Sequence, residues 1–176
     1  MNKLSMKKKI IVALILTFIS LLLWGIGKLY IAYNLSHYSG YYVQQLPRKE
    51  GTNPELVIIL THLDSVERPE VNGLTYNLRG NGGIIKDDSF YLFDVSDEFQ
   101  LTISDEDGDY FFNHDNGEYL YYYTDNIDKK KYDSQYQKEA ELLLDKILPP
   151  ILEAQPKPKI NLQKLFNDKY YKQFNE

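Results

Sequence analysis

From Ile10 to Gly27 the chain runs eighteen residues, IIVALILTFISLLLWGIG, without a charge. At about 1.5 Å per residue this nearly crosses the hydrocarbon core of a bilayer and predicts a transmembrane helix. A cleaved signal peptide would have a shorter apolar stretch followed by a small-x-small site, and none follows. The segment is therefore expected to stay as an anchor. KLYIAYNLSHYSGYYVQQL (28–46) predicts a helical or irregular stalk, and Pro47 to Pro54 a polar break. Beyond it the period changes to two. ELVIILTHL (55–63), LTYNLR (74–79), SFYLFDV (89–95), EFQLTIS (98–104), DYFFNH (109–114) and EYLYYYT (118–124) are β-rich runs separated by turn residues. The turns are expected at GNGG (80–83), Asp107-Gly108 and Asn116-Gly117, and their shortness implies an antiparallel meander.

After Lys131 the period becomes helical, with Tyr136, Ala140, Leu143, Leu144, Ile147, Leu148 and Ile151 on one face. Pro149-Pro150 should break or kink this helix. A final helix is expected after QPKPK (155–159), capped by Asn161, with Leu162, Leu165, Phe166 and Tyr170 on one side. The predicted fold class is α+β: an N-terminal transmembrane helix, then an antiparallel β-meander sheet with C-terminal helices packed on one face. The domains would be a cytoplasmic basic tail (1–9), the anchor (10–27), a stalk and linker (28–54) and an extracytoplasmic domain (55–176).

Two-residue turns at Asp107-Gly108 and Asn116-Gly117 would set the sheet register. Ile103 then pairs with Phe112 and Phe112 with Tyr121, while Thr102 pairs with Asn113 and Asn113 with Leu120. Leu101, Ile103, Tyr110, Phe112, Tyr121 and Tyr123 would lie under the helices. Gln100, Thr102, Phe111, Asn113, Leu120 and Tyr122 would form the other face, and a one-residue slip would exchange the two sets.

Charge sharpens the picture. Lys3, Lys7, Lys8 and Lys9 precede the apolar span and Lys28 alone closely follows it, which predicts a cytoplasmic N-terminus. Beyond residue 34 there are 15 basic and 25 acidic residues, a net of −10. A segment of this charge is expected to bind neither nucleic acid nor an anionic membrane surface, and to steer towards a basic partner or cations. Residues 87–128 hold 13 acids and no lysine or arginine. With no cysteine in the chain, the domain must rest on its core rather than on disulfides.

Enzyme chemistry finds little support. Asp105, Asp107 and Asp109 alternate like the first ligands of a calcium loop, but Tyr110 and Asn116 occupy the positions that need glycine and a bidentate glutamate. GNGG leads into a strand rather than the helix that a phosphate loop requires. THLDS (61–65) alone gathers Thr, His, Asp and Ser, and on a strand His62 and Asp64 would share a face that Ser65 does not. No catalytic residue, metal or cofactor is implied. Uncompensated acid beside aromatic side chains instead suits a protein partner. The candidate contacts are Asp105, Glu106, Asp107, Asp109, Phe111, Asn113 and Tyr122.

The layout KKKIIVALILTFISLLLWG, a tyrosine-bearing stalk, FYLFDVSDEFQLTISDEDGDYFFNHDNGEYLYYYT and a helical tail resembles the TipC family of membrane-anchored immunity proteins. The resemblance implies a non-enzymatic role: binding a cognate LXG-type toxin, exported by type VII secretion, that attacks the lipid-linked cell-wall precursor outside the cytoplasmic membrane. The other expectation, from a different class, is a sensory or scaffold ectodomain joining a membrane complex.

Overall fold

A computed structural model describes residues 6–70, 73–79, 83–87, 90–95, 100–124 and 134–176. It divides into two units, residues 1–34 and 35–176. The first is helix α1, Met6–His37, which runs a few residues past the division. Its 32 residues give it a length of about 48 Å, against a hydrocarbon core of about 30 Å. It is long and apolar enough to cross a membrane. Thr17 and Ser20 return their hydroxyls to the carbonyls of Ala13 and Leu16, so neither presents an unmet donor.

The second unit is α+β. Helices α2 (Ser39–Val43) and α3 (Pro54–Thr61) precede six strands: β1 (Leu74–Asn77), β2 (Gly83–Lys86), β3 (Phe90–Val95), β4 (Gln100–Ser104), β5 (Asp109–Asn113) and β6 (Tyr119–Tyr123). Helices α4 (Ser134–Glu153) and α5 (Gln163–Asn175) follow. The strands form one antiparallel sheet in the order of the chain, a meander, with α3 and α4 packed on it.

The run 55–63 is helix α3, not a strand. Leu56, Val57, Ile58, Ile59 and Leu60 are all buried, so no polar face reveals a period. Pro54 at the first helical position and Glu55 in the first turn are the local cues that favour helix. The expected count of six strands survives because β2, which begins where the GNGG turn was expected to end, replaces this run. The stretch 28–54 is also more than a stalk. Its first residues complete α1, whereas Tyr42, Val43 and Leu46 belong to the hydrophobic core.

Helix α4 continues through Pro149 and Pro150 to Glu153 without breaking. The prolines withdraw the donors that would serve the carbonyls of Asp145 and Lys146, both exposed residues whose carbonyls water can satisfy. Burial of Ile147 and Ile151 on either side holds the helix to the core. In α5 the buried residues are Phe166, Tyr170 and Phe174, whereas Leu165 lies outside. Asn161 Oδ1 does accept from the Gln163 N–H at 2.8 Å, one residue before the formal cap position.

The turns settle the register. Ser104 pairs with Asp109, so the β4–β5 turn has four residues and Ile103 faces Tyr110 rather than Phe112. That is a shift of two, which leaves every side chain on its expected face. Between β5 and β6 the turn is closed by bonds from Asn113 N–H to Glu118 O (2.8 Å) and from Gly117 N–H to Asn113 O (2.8 Å). A bulge then moves Phe111 opposite Tyr121 and Tyr110 opposite Tyr122. The net shift is one residue, and on β6 the two faces are exchanged.

This second turn is clamped to the helical side. Asn53, at the start of α3, donates its N–H to Asn116 O (3.0 Å) and its amide Nδ2 to Gly117 O (2.9 Å). Gly117 has φ +70°, and a Cβ there would lie 2.6 Å from Asn53 O. Gly117→Ala is therefore expected to cost about 1–3 kcal/mol, read as a lower urea midpoint at unchanged slope. A midpoint equal to the parent's would mean that the turn is not locked against α3.

Candidate functional site

The β4–β5 turn differs from the clamped one. Asp105 Oδ1 accepts from the N–H groups of Asp107 (2.9 Å) and Gly108 (3.1 Å), and the Asp105 N–H donates to Gly108 O (3.0 Å). The Ser104 hydroxyl donates to Asp109. The backbone of the turn is thus held by Asp105 and its base by the Ser104–Asp109 pair, while Glu106 and Asp107 extend into solvent. Asp105, Glu106, Asp107 and Asp109 line one concavity of about 370 Å³, completed by Gly108, Tyr123 and Thr124. The structure therefore brings together all four acids expected to meet a partner.

Tyr122 supports this turn from the core side and is not a surface residue. It is 5% exposed and its ring lies parallel to Tyr136 of α4, with centroids 4.4 Å apart and 2° between planes. Tyr110 packs against its other side at 4.9 Å. The Tyr122 hydroxyl donates to Asp107 O at 2.6 Å, reaching it past Gly108, where a Cβ would lie 2.7 Å from that hydroxyl oxygen. Burial, and behind it the charges of Asp105 and Asp107, raise the Tyr122 pKa, so the phenol stays a donor. Tyr110 is raised likewise, first by burial and then by Asp105 and Glu139.

On the opposite face Phe111 stacks against Tyr121, with centroids 4.6 Å apart and 22° between planes. Tyr121 donates to Gln100 Oε1 at 3.3 Å. It is the aromatic that the expected register placed under the helices, and it takes the place given there to Tyr122. A bulge in β6 carries no composition signal, so the exchange was invisible in the alternating pattern. Asn113 also lies on this face, but its Oδ1 serves the second turn by accepting from the N–H groups of Asp115 (2.8 Å) and Asn116 (3.3 Å). A two-residue turn at Asn116-Gly117 would set Asp115 opposite Glu118. Asp115 instead sits within the turn and Glu118 precedes β6.

Thr102 is on this face as well, yet only 1% exposed. The face is thus closed over at Thr102, and among the described residues the Phe111–Tyr121 pair lies on it beside the acidic turn.

His62 ends helix α3 and meets α5. Lys169 Nζ donates to the Tyr170 hydroxyl at 2.8 Å, and that hydroxyl shares a hydrogen bond with His62 Nε2, 3.0 Å away. Burial first, then the Lys169 charge, push the His62 pKa below its ordinary 6.5, against an opposing pull from Asp64. Ser65 donates to Asp64 at 3.1 Å rather than to the imidazole. The ring shares a hydrogen bond that ties α3 to α5. Because the fold prefers neutral His62, its contribution to stability is complete above pH 6.5 and is lost as pH falls below that value. The fall in stability between pH 7.5 and pH 5 should therefore be smaller in His62→Gln than in the parent, measured as paired urea midpoints. Equal pH slopes would mean that the ring is not held neutral.

Comparison with protein-family models, curated proteins and solved structures finds no match.

Proposed function

We propose that this chain is a membrane-anchored protein-binding domain that acts as an immunity protein. Helix α1 is its single membrane span, the N-terminus is cytoplasmic, and the α+β unit meets its partner on the outer side. The partner is a basic-surfaced toxin of the LXG type, which the domain occludes stoichiometrically. The observation that carries this proposal is the juxtaposition of a solvent-facing acidic turn with the outward Phe111–Tyr121 stack at one sheet face. Charge of one sign accelerates encounter with a basic surface, and a stacked aromatic pair supplies apolar area at little entropic cost. The contacts are Asp105, Glu106, Asp107, Asp109 and Phe111, with Tyr121 in place of Tyr122. The lysines before the apolar span and the resemblance to TipC proteins both favour the outer side.

The test is a titration of the full chain, held in nanodiscs, with LXG-type toxins. Affinity should weaken as salt rises from about 0.1 to 1 M, over which the screening length falls from about 10 to 3 Å. Binding that ignores salt would remove the electrostatic basis of the proposal. Absence of binding to any such toxin would remove the immunity role itself.

A further inference from the structure

The net charge of the domain conceals a segregation. Residues 155–176 carry five lysines against Asp168 and Glu176, in contrast to the wholly acidic 87–128. Within the second unit this basic segment is packed on α2, the element where the chain arrives from α1. Gln163 Nε2 donates to Tyr42 O at 2.8 Å, the Tyr42 hydroxyl accepts from Leu162 N–H at 3.0 Å, and the Tyr42 and Phe166 rings lie 5.4 Å apart.

We propose that the outer face of residues 157–172 is a docking surface for the anionic phospholipid headgroups of the bilayer that holds α1. Three observations support it. Lys157, Lys159, Lys164 and Lys172 are all exposed. Leu165 and Tyr171 stand among them, 42% and 50% exposed, the mixture of basic and apolar side chains that settles at a lipid interface. Chain length supplies the third. Ser39, where α2 begins, lies only eleven residues after Lys28, so the chain tethers the second unit near the lipid surface whatever its orientation. Each lysine near an anionic leaflet multiplies the docked-to-undocked ratio about fivefold. The occupant is lipid rather than a free anion because the positive side chains are spread along the segment and interleaved with apolar ones, instead of converging on one point. The consequence is orientation: with the lysines held down, the domain presents a fixed aspect to its partner.

The proposal rests on α1 lying in the bilayer, and not on the identity of any protein partner. Having no cysteine, the full chain accepts single environment-sensitive labels at Leu165→Cys and Tyr171→Cys, with Leu142→Cys on α4 as an exposed control and Leu16→Cys reporting the anchor. In nanodiscs rich in phosphatidylglycerol the labels at 165 and 171 should shift to the blue and lose most of their quenching by iodide, and the label at 142 should not. In phosphatidylcholine discs, or when Lys157, Lys159, Lys164 and Lys172 are all changed to Glu, the two labels should become as quenchable as that at 142. Changing the same lysines to Gln should act in the same direction with a smaller loss, and a retained melting transition in that set excludes unfolding as the cause. Equal quenching in both lipids, or protection that survives charge reversal, overturns the proposal. A quenchable label at Leu16 overturns it together with the anchor.

Discussion

Tyr122→Ala is expected to lower the stability of the domain by about 3–5 kcal/mol, whereas Tyr121→Ala, at the neighbouring position on the opposite face of β6, should cost about 1 kcal/mol or less. The first change empties a site bounded by Tyr110 and Tyr136 and deletes the hydroxyl that supports Asp107 O. The second removes a half-buried ring whose stacking on Phe111 is worth about 0.5–1.5 kcal/mol before water reoccupies the face. Tyr122→Phe separates packing from the hydrogen bond. It should cost about 1 kcal/mol and loosen the Asp105–Gly108 turn, seen as faster amide exchange at Asp107 and Gly108. Urea unfolding of the three variants is the measurement. If Tyr121→Ala proved the more damaging, the bulge between Phe111 and Phe112 would be absent and the strand one residue out of its present register.

Neutralising the acidic turn should act mainly on the rate of association. Asp105→Asn, Glu106→Gln, Asp107→Asn and Asp109→Asn together remove four like charges that line one concavity. At low salt this should slow capture of a basic toxin by about 10- to 100-fold and leave dissociation much less affected. Asn at 105 keeps an Oδ1 for the N–H groups of Asp107 and Gly108, so the turn retains its internal bonds and the loss is one of field rather than of fold. Relief of self-repulsion should hold stability level or raise it slightly. Stopped-flow mixing reads both rates. An unchanged association rate would exclude this turn from the interface, and an accelerated dissociation alone would make it a direct contact without steering.

Charge and hydrophobic pattern carried much of this architecture into view. Eighteen apolar residues without a charge read as a helix long enough to cross a membrane, a property of composition and length that needs no partner within the chain. The acidic turn was equally legible, since charges on a turn point outward whatever the register. Helix α4 announced its buried face, which one polar flank left distinct. Helix α3 did not, because burial on all sides erases the contrast from which a period is read, and only Pro54 and Glu55 marked it.

What the sequence determined by itself was therefore one-sided: the apolar span, the acidic and basic stretches, the alternation of most strands and the absence of disulfides. Tertiary structure alone decided which aromatic is core and which is surface. The choice between Tyr121 and Tyr122 depends on a single inserted residue in β6 and on two four-residue turns, one of them locked by Asn53 from a distant helix. A period of two cannot encode its own phase, and here the phase is set by hydrogen bonds between segments about sixty residues apart in the chain, 64 for Asn53 and Gly117.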